Sequence, residues 1–109
     1  MESEMPSVSL DSQLDALRHV TRRRVLFGLL AATADDDLPV QIGELERDAA
    51  ERAFHVSMHH VHLSKLEAQG LVDTDVGADA VTTGPRFDET RPLLELIEEH
   101  GSRLPTDWR

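Results

Sequence analysis

Apolar positions recur at helical spacing along most of this chain, and the period shortens to alternation at only two places. Leu14, Leu17 and Val20 lie three apart and predict a first helix, with Asp11 or Ser12 as its cap. Thr21 is the expected cap of a second helix, RRRVLFGLLAAT, whose inward stripe is Val25, Leu26, Leu29, Leu30 and Thr33. Gly28 inside it lowers the intrinsic helix propensity. Three aspartates before Leu38-Pro39 read as a solvated loop, and Val40-Gln41-Ile42 predicts a small strand. GELERDAAERA predicts a third helix with Ile42, Leu45 and Ala49 inward. A fourth runs over 55–69 with Val56, His59, Leu63 and Leu66 on one face, and Gly70 suits the left-handed position that stops it. Residues 71–75 and 79–83 are β-prone and flank Val76-Gly77-Ala78, which predicts a hairpin. Gly84-Pro85 breaks the pattern. The last helix is expected from about Thr90, with Pro92 in its first turn, Leu93, Leu94 and Ile97 as its stripe and Gly101 closing it.

The order is helix, helix, short strand, helix, helix, hairpin, helix. It predicts a mainly helical α+β domain over residues 11–101, with a helical layer beside a small β-hairpin. Residues 1–10 are polar and expected to be a disordered leader, and 102–109 to be a tail. A chain of 109 residues supports one domain with a modest core, so association would help it.

Composition narrows the chemistry. The chain has no cysteine, which excludes disulfides and thiol-based metal or redox sites. No apolar run reaches the ~20 residues that span a bilayer, and the acidic N-terminus lacks a signal-peptide core, so no membrane partner and a cytoplasmic location are expected. Asp and Glu number 21 against 11 Lys and Arg, for a net charge of −10, and Lys65 is the one lysine among ten arginines. Such a surface resembles those of proteins from halophilic archaea. Dense hydrated carboxylates keep a protein dissolved in molar salt, where the Debye length falls to about 3 Å and self-repulsion costs little.

Three segments carry a family resemblance. LDALRHVTRRRVLFGLLA resembles the opening of ArsR-like winged-helix proteins, IGELERDAA their first helix-turn-helix helix, and VHLSKLEAQGLVDTD the exit of their recognition helix. The chain is most similar to small haloarchaeal domains of that kind, with Ser64 where proline is usual. The resemblance covers about residues 12–100. It implies a winged helix-turn-helix fold, a DNA-binding transcriptional regulator, and a homodimer built from the N- and C-terminal helices. The expected wing carries Asp73, Asp75 and Asp79 and no basic residue, a departure from family wings with Arg or Lys at the tip.

On this reading the exposed face of the fourth helix is Ser57, Met58, His60, Val61, Ser64 and Lys65, side chains able to meet phosphates, base edges or a thymine methyl of duplex DNA. The same face could instead be solvated or pack on another subunit. Arg18, Arg22, Arg23 and Arg24 concentrate positive charge at a helix start, where they oppose the macrodipole. Either they clamp phosphates, with Arg22 and Arg23 the candidates, or they pair with carboxylates while their stems cover apolar surface. Consecutive residues point in different directions, so at least one is expected to be structural. His55, His59 and His62 share an α-helical face by spacing and form a possible metal set, although the bland reading of His59 is a satisfied core histidine. No nucleophile motif, phosphate-cradling loop or aromatic platform is present, so no enzyme activity and no cofactor are expected. The competing reading is a winged-helix protein–protein interaction module without DNA binding.

Overall fold

A computed structural model of the chain describes residues 8–42, 58–75 and 77–108, excluding the side chains of 58–60. The third expected helix and the start of the fourth therefore lie outside the described residues.

The first helix, α1 (Leu10–Leu17), opens one residue before the expected cap. Ser9 caps it instead, its hydroxyl accepting the Ser12 N–H at 3.1 Å. Val8 is buried and its N–H donates to Glu89 Oε1 at 2.7 Å, so part of the expected leader is held against the domain. Helix α2 (Val20–Ala34) likewise begins before Thr21. His19 is extended there, and its Nδ1 accepts the Thr21 N–H at 3.2 Å, which makes the imidazole the cap. Val25, Leu26, Leu29 and Leu30 of the expected α2 stripe are buried and Thr33 is half-buried, and Phe27 and Ala32 are buried as well. Helix α2 is thus covered on more than one side and forms the centre of the core.

The chain turns through Asp36, with φ of 56°, into β1 (Val40–Gln41). This strand pairs antiparallel with β3 (Ala80–Thr83), which pairs antiparallel with β2 (Val72–Asp75), giving the order β1-β3-β2. In register, Val40 faces Val81 and Val81 faces Thr74, so Val40, Val72, Thr74 and Val81 share one face. Val40, Val72 and Val81 are buried on it. Gln41, Asp73, Asp75, Ala80 and Thr82 take the other. Ile42 extends the pairing through its N–H to Asp79 O at 2.9 Å.

Between β1 and β2 runs a helical segment in two windings, a π-wound part (Met58–Leu63) followed by α3 (Ser64–Ala68). Gly70 stops it, with φ of 79° as expected. The Gly70 N–H bonds to Glu67 O at 2.9 Å and the Leu71 N–H to Leu66 O at 3.0 Å, a Schellman closure. Leu66 and Leu71, fully buried, supply its apolar contact. Gly84 seats the hairpin against this turn. Its N–H bonds to Leu71 O at 3.0 Å, and a Cβ there would lie 2.5 Å from Gly70 O and 2.8 Å from the Val72 nitrogen.

Helix α4 (Phe87–Glu99) begins three residues before the expected Thr90. Burial of Phe87 decides this, and it leaves Pro92 in the second turn rather than the first, at the loss of one backbone bond. Leu94 is buried, and Leu93 and Ile97 pack at the edge of the core. After α4 a 3₁₀ turn (Gly101–Arg103) leads into a segment that folds back. Trp108 meets Phe27 edge to face, ring centroids 4.9 Å apart, so the expected tail is docked on α2. Among the described residues the result is an α+β arrangement, mostly helical with a three-stranded antiparallel sheet. No described helix is long and apolar enough to cross a membrane.

Candidate nucleic-acid interface

Burial sets the orientation of the segment Met58–Ala68. Leu63 and Leu66 are buried, which leaves Val61, Ser64 and Lys65 exposed on the outer side. Val61 is 46% exposed and gives this face an apolar contact beside the hydroxyl of Ser64 and the ammonium of Lys65. Three of the six side chains expected on this face are therefore exposed together. Ser57 and the side chains of Met58 and His60 lie outside the described residues.

The arginines divide sharply. Arg22 is 4% exposed and does not face outward as a phosphate clamp. Its Nη1 donates to Asp15 O at 2.9 Å and lies 3.5 Å from Asp15 Oδ2, while its Nε donates to His62 Nδ1 at 3.2 Å. The guanidinium thus pins the end of α1 to the π-wound segment. The cause is local: position 22 lies three before Val25 and seven before Leu29, on the buried face of α2. Arg23 is half-buried and bonds to two carbonyls, Leu17 O at 2.7 Å and Asp107 O at 2.9 Å. Arg24 is also half-buried and partnered. Arg18 is exposed and paired with Asp15 at 3.3 Å. Arg86 lays its stem against Gly70. Of the cluster at 18–24, Arg18 and parts of Arg23 and Arg24 remain at the surface.

His62 is placed by the same network. Its ring lies 4.2 Å from that of His19, tilted by 40°. Burial foremost, then the charges of His19 and Arg22, hold its imidazole below the usual histidine range. A neutral ring suits the geometry, because Nδ1 must keep a lone pair to accept from Arg22. His55 and the side chain of His59, the other members of the possible metal set, lie outside the described residues. Among the described residues no group of three His, Asp or Glu side chains is arranged to hold a metal ion.

The hairpin is acidic where it is exposed. Asp73 and Asp75 project from β2, and Glu67 accepts both the N–H and the hydroxyl of Thr74, at 3.4 and 3.2 Å. A groove of about 380 Å³ runs along the outer sheet face between Leu38-Pro39 on one side and Asp73 and Asp75 on the other. Sequence reasoning had no signal for the Arg22–His62–His19 contact, since its partners lie forty residues apart. The expectation that one of three consecutive arginines turns inward is the part that was readable. The chain was compared with protein-family models, curated proteins and solved structures, and none of them matches it.

Proposed function

We propose that this chain is a winged helix-turn-helix DNA-binding protein that regulates transcription. It would act as a homodimer in a high-salt cytoplasm, with the helical segment at Met58–Ala68 as the recognition helix and β2–β3 as the wing. The observation that carries the reading is the unit formed by this segment, its glycine closure and the hairpin. An exposed face of Val61, Ser64 and Lys65 is braced from behind by Leu63 and Leu66 and leads through Gly70 into strands that pair back to β1. A helix presented on a rigid support fits the major groove, where the hydroxyl and ammonium can reach base edges and phosphates and the valine can meet a thymine methyl. The net charge of −10 does not oppose this in molar salt, because long-range repulsion is screened and close contacts decide. Exposed Leu10 and Leu14 on α1 and Leu96 on α4 support dimerisation through the terminal helices.

The test is a binding assay with the DNA upstream of the protein's own gene, across KCl concentrations, comparing wild type with Lys65→Glu. Binding that weakens about tenfold or more in the variant is expected, since a favourable phosphate contact becomes a repulsive one. Absence of binding at every salt concentration by a folded dimer would remove the proposal. The groove beside Asp73 and Asp75 favours a second reading, a protein-interaction module without DNA contact. A pull-down that retains a protein partner through this groove, from a chain that ignores DNA, is the outcome that reading requires.

A further inference from the structure

The C-terminal segment occupies the one arginine of the expected phosphate pair that still reaches the surface. Arg23 gives Nη2 to the carbonyl of Asp107 and Nη1 to that of Leu17. Both acceptors are neutral, and among the described residues no carboxylate is paired with this guanidinium. One of its two donor arms is thus spent on a neutral carbonyl of the C-terminal segment. A phosphate oxygen in the same place adds the attraction of opposite charges to the bond, which a neutral carbonyl does not.

The segment that spends it is a surface strap. Residues 102–107 are exposed, and its bends are closed by its own bonds, Leu104 N–H to Gly101 O and Trp108 N–H to Pro105 O, each 3.1 Å. It is fastened to α2 by the half-buried Trp108 ring on Phe27. The other side of the indole fits against Gly101, where even a Cβ would come 2.5 Å from Trp108 Cζ2 and 2.9 Å from Cε2. Docking thus depends on a glycine at 101, and a methyl there has to push the indole out without touching Arg23.

We propose that the strap at 101–108 is an intramolecular competitor for Arg23: docked, it withholds the guanidinium, and released, it yields Arg23 to a phosphate of duplex DNA. The proposal rests on the DNA-binding reading above. It makes apparent affinity the intrinsic affinity reduced by the fraction of molecules whose strap is released.

Trp108 is the one tryptophan of the chain, so its emission reports docking directly. The experiment titrates the full chain with a short mixed-sequence DNA duplex and follows emission and anisotropy together. Saturating duplex is expected to shift wild-type Trp108 emission to the red as the ring enters water. Gly101→Ala is expected to show that shift without DNA, with unchanged far-UV circular dichroism, and to bind about three- to tenfold more tightly. Arg23→Gln in either background should remove the difference between them. If Gly101→Ala releases Trp108 but binds no better, or if wild type binds duplex with Trp108 still docked, the competitor role is wrong while DNA binding stands. Should Gly101→Ala leave Trp108 docked, the Arg23→Gln comparison and the wild-type emission decide alone. If neither wild type nor Gly101→Ala binds this duplex or the DNA upstream of the protein's own gene, the DNA reading fails and the competitor role goes with it.

Discussion

At the scale of single residues, two glycines on one turn have different obligations. Gly70 sits at φ of 79°, where an alanine costs about 1–2 kcal/mol in strain, and its nearest neighbour is the flexible stem of Arg86. A Cβ at position 84 would lie 2.5 and 2.8 Å from backbone atoms that cannot yield separately. Gly84→Ala is therefore expected to destabilise by about 2–3 kcal/mol and Gly70→Ala by less, as read from urea midpoints. Gly70 was legible in sequence because a helical stripe ended on it. Gly84 was legible only as a break, because the atoms it must avoid belong to the turn fourteen residues earlier. Arg22 makes the same point. Its inward direction follows from its place three before Val25 and seven before Leu29, on the buried stripe of α2, but the partners Asp15 and His62 that accept its hydrogen bonds there could not be read from that spacing. Arg22→Met should lose about 1–3 kcal/mol of stability, toward the lower end because the abandoned Asp15 carboxylate keeps access to water.

At the scale of elements, most of the stripes were read correctly, although Leu14 of the first is exposed and Thr33 of the second only half-buried, and the helix starts were not. Leu63, Leu66, Leu71 and Leu94 are buried as their periodicity predicts, whereas α1, α2 and α4 all begin earlier than expected. Ends are set by groups that periodicity does not weigh: a Ser9 hydroxyl, a His19 ring nitrogen and the burial of Phe87. Ser9→Ala should therefore cost about 1 kcal/mol by loss of the α1 cap, in thermal or urea unfolding. The π-wound segment is tied to α2 through a neutral His62, and this gives it a pH dependence. His62 has a lowered pKa in the folded chain and an ordinary one, about 6.5, when unfolded. Below that pH the unfolded chain takes up more protons at this site, so its contribution to stability is full above about pH 6.5 and is lost as pH falls toward the folded value. Wild type should thus lose Tm faster than His62→Gln on acidification from neutral pH, and equal slopes would show that His62 does not titrate differently in the two states.

At the scale of the whole molecule, charge and salt make the sharpest demand. A chain of net charge −10 repels itself, and screening relieves this, so Tm is expected to rise with KCl toward ~1 M. DNA binding should respond weakly in the opposite direction. With Lys65 and Arg23 as the phosphate-facing cations, the slope of log K against log salt should be about −2, and Lys65→Gln should reduce it by about one. A slope several times steeper would mean that basic residues elsewhere make the contacts. The edge of the sheet carries a consequence of a different kind. Strand β2 has no neighbour beyond it among the described residues, and such an edge invites another molecule's strand to add. Glu67 already holds the Thr74 N–H and hydroxyl on that edge. An incoming strand would have to evict a carboxylate before gaining a bond, so the helix that frames the hairpin also guards it against fibrous growth in a crowded solution.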